Sequence, residues 1–123
     1  MVDMISPNFS FAEMECRCGC GFAPTPDDEF IRKLQLLRDR VGPLPINSCA
    51  RCEEHNRAEG GYPRSAHLEA KAADIRIFGP RAIQVIEEAR RIGFSGVGIA
   101  QKGDKSERFI HLDILQRVAL WSY

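Results

Sequence analysis

The chain has 123 residues, 44% of them hydrophobic, which is enough for one compact domain with a single core. Its 17 Lys and Arg residues balance its 17 Asp and Glu residues, which excludes the basic excess typical of proteins that bind nucleic acid or an anionic membrane. No apolar run could cross a bilayer and no signal peptide is visible, so we expect a monomeric domain over residues 1–123 that neither spans a membrane nor carries an obvious export signal.

Residues 1–24 predict an irregular, turn-rich segment that carries a cysteine cluster and packs on the domain through Phe9, Phe11 and Phe22. The chain has 5 cysteines, and the odd number leaves at least one outside any intramolecular disulfide. Three states remain open for them: reduced thiols, a structural metal site that uses both cysteine clusters, or disulfides. The cysteines are Cys16, Cys18, Cys20, Cys49 and Cys52.

Two helices are predicted from capping signals and apolar periodicity. The first spans about 25–40, with Thr25 as its cap and Pro26 at its first position. The second spans about 79–91 and ends before a glycine. Its inward-facing residues are predicted to be Ile83, Ile86 and Ala89.

Four short strands are predicted, over 44–49, 73–78, 95–100 and 109–115. Two loops are predicted, an extended loop or short helix plus loop over 51–64 and a charged hairpin loop over 101–107. The second strand turns Asp74 away from its apolar residues, and the last strand does the same with His111 and Asp113. The pattern indicates an α+β fold, with helices on one face of a small, mainly antiparallel sheet and a cleft on the other.

His67, Asp74 and His111 have the chemistry of a metal site. Six residues lie between His67 and Asp74, and His111 lies on the last predicted strand. A hydrolytic zinc ion takes three protein ligands, usually imidazoles and a carboxylate, and leaves a fourth position open. Two imidazoles and one carboxylate also suit zinc better than magnesium or calcium. The spacing alone equally fits a loop histidine, a capping aspartate and a core histidine.

The wider pattern resembles the zinc D-alanyl-D-alanine peptidase family, which includes bacterial carboxypeptidases, phage endolysins and the amino-terminal domain of hedgehog proteins. The resemblance rests on Ser-x-His-x-x-x-x-Ala-x-Asp over residues 65–74 and on the hydrophobic-His-x-Asp strand around His111. Ser48-Cys49-Ala50-Arg51 lies where the family has Ser-Gly-Tyr-Arg, and Glu54-His55-Asn56 follows as in the family's loop. The start of the chain, its cysteine-rich turn and Trp121 are similar to the small phage-type members.

The resemblance implies a hedgehog-like α+β fold and one catalytic zinc ion bound by His67, Asp74 and His111. It spans nearly the whole chain and departs from the family at Ala70, where members usually have glycine. The loop between the first two ligands is therefore expected to differ slightly in shape. Whether the five cysteines bind a second, structural metal ion is left open by the sequence.

The resemblance also gives Arg51 the role of stabilising the anionic intermediate, which its permanent charge and forked donors allow. Relatives often have an acidic residue three positions before the last histidine, but Arg108 lies there. Asp113 is the first candidate for the general base, or else a partner that orients the His111 imidazole. Glu107 is the second candidate, or else a solvated loop charge. Two further residues are expected to contact substrate, Ser65 and His55.

The sequence therefore predicts a zinc metallopeptidase that cleaves peptidoglycan stem peptides, as a D-Ala-D-Ala carboxypeptidase or as an endolysin-type endopeptidase. We expect it to be made in the cytoplasm and to reach the cell wall after phage-type release. The alternative is a non-catalytic, zinc-binding module for cell-wall recognition, which the missing acid at Arg108 favours. A redox or metal-storage protein built on the five cysteines is a third hypothesis.

Overall fold

The computed structural model describes residues 3–61 and 65–123. Its strands are β1 (Met4–Ser6), β2 (Phe9–Ser10), β3 (Ile46–Ser48), β4 (Ala72–Arg76), β5 (Gly96–Ala100), β6 (Phe109–Asp113) and β7 (Ala119–Ser122). Its α-helices are α1 (Phe11–Met14), α2 (Asp28–Val41), α3 (Glu53–Ala58) and α4 (Pro80–Ile92). Two short 3-10 helices cover Ala66–Glu69 and Lys105–Glu107. Helix α3 lies in the predicted loop over 51–64, of which residues 62–64 lie outside the described part of the chain.

Five strands form the main sheet in the order β3-β4-β6-β5-β7, and β1 pairs with β2 in a separate two-stranded sheet. Neighbouring strands of the main sheet are antiparallel except β5 and β7, which are parallel. The structure confirms the predicted α+β fold with a mainly antiparallel sheet. Strand β7 was not predicted from the sequence. The segment is short, pairs only with β5 and is not preceded by residues typical of a turn.

The helices and the main sheet share a hydrophobic core on one face of the sheet. Ala73 and Ile75 of β4 lie opposite Leu112 and Ile110 of β6, and all four are fully buried. They belong to the same apolar cluster as residues from α2 and α4, among them Phe30, Leu34, Leu37, Val85 and Ala89. Since side chains alternate along a strand, the residues between these point to the opposite face. That second face is the one available for a site.

Helix α2 begins later than predicted. The side chain of Asp27, rather than Thr25, caps it by accepting a hydrogen bond from the backbone N–H of Phe30 at 3.0 Å. Pro26 therefore precedes the cap and is not the first helical residue. A carboxylate satisfies a free N–H and also interacts favourably with the helix dipole, which explains why Asp27 takes this position.

The buried face of α4 agrees with the prediction at Ala89, which is fully buried, and at Ile86, which packs against the core, but differs from it at Ile83. Ile83 is 60% exposed, and Ala82, Val85 and Ala89 form the buried side. Small side chains at these positions allow α4 to pack closely on its neighbours, whereas Ile83 lies outside this stripe. In the part of the chain that the structure describes, no helix is long and apolar enough to cross a membrane.

The amino-terminal segment is more regular than predicted, because it contains β1, β2 and α1. A capping box starts α1: the Ser10 hydroxyl accepts a hydrogen bond from the N–H of Glu13, and the Glu13 carboxylate accepts one from the N–H of Ser10. Phe9 is buried in the core, as predicted. Phe11 and Phe22 are 46% and 37% exposed, so the prediction that they pack on the core is wrong. Phe11 starts the helix instead of continuing the strand and does not share the inward face of Phe9.

Candidate metal centre

One row of residues crosses all five strands of the main sheet on the face away from the helices. Asp74 of β4 pairs with His111 of β6, and Ser48 of β3 pairs with Asp74 on its other side. Beyond His111 the row continues with Gly98 of β5 and Trp121 of β7. The apolar face fixes the register, because a slip of one residue would turn every core side chain outward. The same register places the carboxylate beside the imidazole.

His67 reaches this row from the 3-10 helix over Ala66–Glu69. Ser65 caps that helix through its hydroxyl, which accepts a hydrogen bond from the N–H of His67 at 3.2 Å. Ala70, just after the helix, has a φ of 54°, the left-handed conformation that favours glycine. This turn leads the chain into β4 and leaves the rings of His67 and His111 with their centroids 5.1 Å apart.

Hydrogen bonds on the far side of each imidazole determine which nitrogen faces the centre. Nδ1 of His67 donates to the backbone carbonyl of Cys49 at 2.7 Å, and Nε2 of His111 donates to Oδ2 of Asp113 at 2.7 Å. The remaining nitrogens, Nε2 of His67 and Nδ1 of His111, lie 3.2 Å and 3.1 Å from Oδ1 of Asp74. Because the outer nitrogens carry these hydrogen bonds, the inward nitrogens are the ones that can give up a proton and bind a metal ion through their lone pairs.

The separations between these donor atoms fit a tetrahedral zinc site. Two ligands bound to zinc at 2.0–2.1 Å are about 3.3 Å apart in a regular tetrahedron. The donor atoms of His67, Asp74 and His111 all lie within 4.8 Å of one another, and the three residues are at most 6% exposed. The three predicted ligands are thus brought together in an arrangement that could hold a zinc ion, and all three line a cleft.

Arg51 holds the other oxygen of the central carboxylate. Its Nη2 donates to Oδ2 of Asp74 at 2.7 Å, and its Nε donates to the hydroxyl of Ser48 at 3.1 Å. Burial alone would raise the pKa of Asp74, but hydrogen bonds with His111 and His67 and their charges hold it well below its usual range. The carboxylate therefore stays ionised, with Oδ1 available to a metal and Oδ2 bound to Arg51.

Asp113 lies behind His111 and does not line the cleft. It is fully buried, and the guanidinium of Arg117 donates to both of its oxygens at 2.7 Å and 2.8 Å. Although burial would raise the pKa of Asp113, hydrogen bonds from His111 and Arg117 lower it well below the usual range. A Cβ added at Gly96 would lie 2.3 Å from Oδ2 of Asp113, so the glycine makes room for this carboxylate. The placement favours the orienting role that the sequence left open.

The cleft above the row has a volume of about 490 Å³. Arg51, Ser65 and His55 line it, as expected for residues that contact substrate. Glu107 is exposed on a 3-10 helix and is not among the lining residues. Their catalytic and binding roles stay predictions, but the fold brings the first three to the metal centre and leaves Glu107 outside.

Trp121 and Tyr123 form an aromatic wall that sequence reasoning did not assign to the site. The ring of Trp121 lies 4.9 Å from that of His111, across Gly98 of the strand between them. A Cβ at Gly98 would lie 2.7 Å from the Trp121 ring, so the missing side chain lets the ring reach the histidine. The alternating glycines of β5, Gly96 and Gly98, are the sequence signal for this close approach.

Four of the five cysteines also come together. The thiols of Cys16, Cys18, Cys20 and Cys52 lie within 4.8 Å of one another and could hold a metal ion. Cys49 lies apart, fully buried in the hydrophobic core, and burial raises the pKa of its thiol to about 12, with the charge of Asp74 adding to the effect. The predicted site that uses all five cysteines is therefore reduced to four.

Comparison with known proteins identifies the family of the chain. No curated protein sequence matches the chain. A family model described as Peptidase M15 matches residues 7–113, which include His67, Asp74 and His111 and every strand except β1 and β7. The match confirms the resemblance found in the sequence, and the chain belongs to the Peptidase M15 family of zinc-dependent metallopeptidases.

Proposed function

We propose that the protein hydrolyses peptide bonds in peptidoglycan stem peptides with one catalytic zinc ion, as a D-Ala-D-Ala carboxypeptidase or as an endopeptidase. The observation that carries the proposal is the convergence of His67, Asp74 and His111 at an open cleft in a member of this peptidase family. A purely structural zinc site is usually closed by four protein ligands, whereas a catalytic one keeps a position open. Three protein ligands beside a cleft correspond to the second kind.

Zinc bound at this centre would supply a Lewis acid for the scissile carbonyl and lower the pKa of an attacking water. Arg51 lines the cleft with its side chain only 12% exposed, so its charge is weakly screened by solvent. It keeps Asp74 in place and presents positive charge to the side where an anionic intermediate would form. One side chain thus supports both ligand geometry and charge stabilisation.

The two sides of the cleft suit a peptide. Trp121 and Tyr123 give one side an apolar surface, and Ser65 and His55 give another side hydrogen-bonding groups. Small-molecule and peptide sites commonly combine an apolar wall with a few polar groups that fix orientation. The D-Ala-D-Ala end of a stem peptide carries small methyl side chains, which the apolar side can contact, and backbone N–H and C=O groups, which the polar side can bind.

Three carboxylates are candidates for the general base of this mechanism. Asp113 has both oxygens engaged by Arg117 and His111 and is buried. Along the described residues that line the cleft, the carboxylate besides Asp74 belongs to Glu59, whose Oε1 lies 3.2 Å from Nε2 of His55. A base must reach the attacking water directly or through one other water, so Glu59 joins Asp113 and Glu107 as a candidate to test.

The test is hydrolysis of purified peptidoglycan and of a D-Ala-D-Ala-terminated peptide by zinc-loaded protein, with products identified by mass spectrometry. Release of D-alanine from the peptide would identify a carboxypeptidase, and cleavage of cross-linked material alone would identify an endopeptidase. His67→Ala should abolish both activities, and zinc bound to the unmodified protein without any cleavage would overturn the proposal. Separate Asp113→Asn, Glu59→Gln and Glu107→Gln variants would show which carboxylate the rate requires.

The second candidate function is the non-catalytic module for cell-wall recognition. It is favoured by the arginine at position 108 and by the engagement of both Asp113 oxygens, which leave neither residue free to accept a proton. This candidate predicts that zinc-loaded protein sediments with insoluble peptidoglycan, that Trp121→Ala weakens the association, and that no product forms. Turnover by the unmodified protein would exclude it.

A further inference from the structure

A second cluster of metal-ligand side chains lies outside the catalytic centre. Cys16, Cys18 and Cys20 occupy the turn after α1, and Cys52 is the N-cap residue of α3. The four Sγ atoms lie within 4.8 Å of one another although Cys52 is far from the others in sequence. Disulfides join thiols in pairs, whereas four thiols directed at one point are what a single metal ion requires.

Two of the separations between the sulfur atoms are close to those in zinc bound by four thiolates. Sγ of Cys18 lies 3.5 Å from Sγ of Cys16 and 3.7 Å from Sγ of Cys52. With Zn–S bonds of 2.3 Å, the edge of a regular ZnS₄ tetrahedron is about 3.8 Å. Cys18 and Cys20 are exposed and Cys16 is buried, so an ion could enter from solvent and be held on its inner side.

The surroundings of the cluster supply the hydrogen bonds that metal-bound thiolates receive. Backbone N–H groups donate to three of the sulfurs: that of Cys52 to Cys16, that of His55 to Cys52, and that of Phe22 to Cys20, at 3.3–3.4 Å. Nδ1 of His55 lies 3.1 Å from Sγ of Cys16. Donors of this kind stabilise negative charge on sulfur and orient the ligands.

We propose that Cys16, Cys18, Cys20 and Cys52 bind one structural zinc ion, separate from the catalytic one. Four soft sulfur ligands favour zinc over the harder divalent cations, and four protein ligands leave no open position for chemistry. The proposal does not depend on hydrolysis by the protein. Cys49 takes no part in it.

The zinc would join the amino-terminal segment to the loop that carries Arg51. Cys52 follows Arg51 directly, and the N–H of Arg51 donates to the carbonyl of His67 at 2.9 Å. The N–H of Ala50 donates to the carbonyl of Met14 at 3.0 Å, so the two segments are already adjacent at the core side of the cluster. A bound ion would fix the exposed side of the same junction. Its effect on the cleft is therefore one of positioning.

The test measures metal content and ligand type in the full-length protein, purified under reducing conditions. In a His67→Ala background, which removes a ligand of the other centre, we expect one zinc per chain by elemental analysis. After replacement by cobalt, the protein should show strong thiolate-to-cobalt charge-transfer absorption in the near ultraviolet. Adding Cys20→Ser should abolish tight zinc binding and this absorption, whereas the matched control Cys49→Ala should leave both intact.

Cys20→His serves as a second variant in case the loss of zinc from Cys20→Ser unfolds the protein. Cys₃His sites bind zinc, so this variant should retain one zinc per chain and a tetrahedral cobalt spectrum with weaker sulfur absorption. Zinc that stays bound in the His67→Ala, Cys20→Ser variant would overturn the proposal. So would purified protein in which these thiols are paired in disulfides without bound metal, or in which the cluster binds iron instead of zinc.

Discussion

The two clusters of metal-ligand residues differ in what holds their side chains in place. His67, Asp74 and His111 are buried, two of them lie on paired strands, and each has a further hydrogen-bond partner that fixes its orientation. The cysteine cluster lies on turns and on the cap of a short helix, with two of its thiols exposed. In both clusters the donor atoms lie within 4.8 Å of one another.

This difference suggests that the main sheet holds the histidine centre in place, whereas the cysteine cluster needs a bound ion to hold its ligands in place. Strand register and buried hydrogen bonds keep the histidine centre assembled with or without metal. A turn held by four thiols has little apolar burial of its own, so binding energy would contribute directly to local folding. Removing a ligand should therefore affect chemistry at the first site and local order at the second.

The largest expected effect follows from removing His111. His111→Ala should reduce hydrolysis to the background rate, because zinc would lose one of three protein ligands. The circular dichroism spectrum should stay close to that of the unmodified protein, since the core face of β6 is formed by Ile110 and Leu112. Elemental analysis should show loss of this zinc only. Loss of both metals or of the fold would contradict the view that the two sites are independent.

Asp113→Asn should have the next largest effect, through the orientation of His111. Loss of such an outer partner typically lowers metal affinity about 10- to 100-fold. Zinc competition against a chelator would measure this, with Glu107→Gln as a control on an exposed carboxylate outside the cleft. Equal affinity in Asp113→Asn and the unmodified protein would show that the strand alone orients the imidazole.

Asp113→Asn should also change how the zinc affinity depends on pH. Burial would lower the pKa of His111, but hydrogen bonds with Asp113 and Asp74 raise it above its usual value. Protons and zinc compete for Nδ1, so zinc affinity should fall as the pH drops through the raised pKa and recover above it. Asp113→Asn should lower that pKa and move the loss of zinc to lower pH. Affinity measurements from about pH 5 to about pH 8 would reveal the shift, and a displacement toward higher pH would contradict it.

Gly96→Ala should destabilise the fold by about 1–3 kcal/mol, the usual cost of overpacking. Its Cβ would lie 2.3 Å from a carboxylate oxygen of Asp113, which Arg117 holds in place. Urea unfolding would measure the loss, and zinc affinity should fall with it. Gly98→Ala is the matched control: its Cβ would meet Trp121 instead, so it should change the fluorescence of the single tryptophan and leave zinc affinity nearly unaltered.

Trp121→Ala should have the smallest effect, about 0.5–1.5 kcal/mol, or roughly twofold to twelvefold in KM for a peptide substrate. The ring borders the cleft and packs beside His111, but it coordinates nothing. Leu120→Ala is the control on the same strand, because Leu120 is 71% exposed and does not line the cleft. If the two substitutions had equal effects on KM, the aromatic wall would not be part of the substrate site.

Local sequence predicted strands β3 to β6 better than the details of helix packing, whereas it missed β1, β2 and β7. The alternation in β4 and β6 is strong enough to assign Asp74 and His111 to the face opposite the core, as the structure has them. The cap of α2 was misplaced, because several residues can cap a helix. On α4, apolar periodicity correctly predicted the burial of Ala89 but also predicted burial for Ile83, which is 60% exposed.

The sequence by itself determined the chemistry of this protein. Residue types and their spacing, with the resemblance to a peptidase family, indicated the histidine–aspartate ligands, the nearby arginine and the α+β class. Only the tertiary structure decided which groups meet. It placed Asp113 behind His111, brought Trp121 across Gly98 of the intervening strand, and gathered four thiols while leaving Cys49 in the core. These contacts depend on strand register and on packing between segments far apart in the chain, which no local pattern of residues encodes.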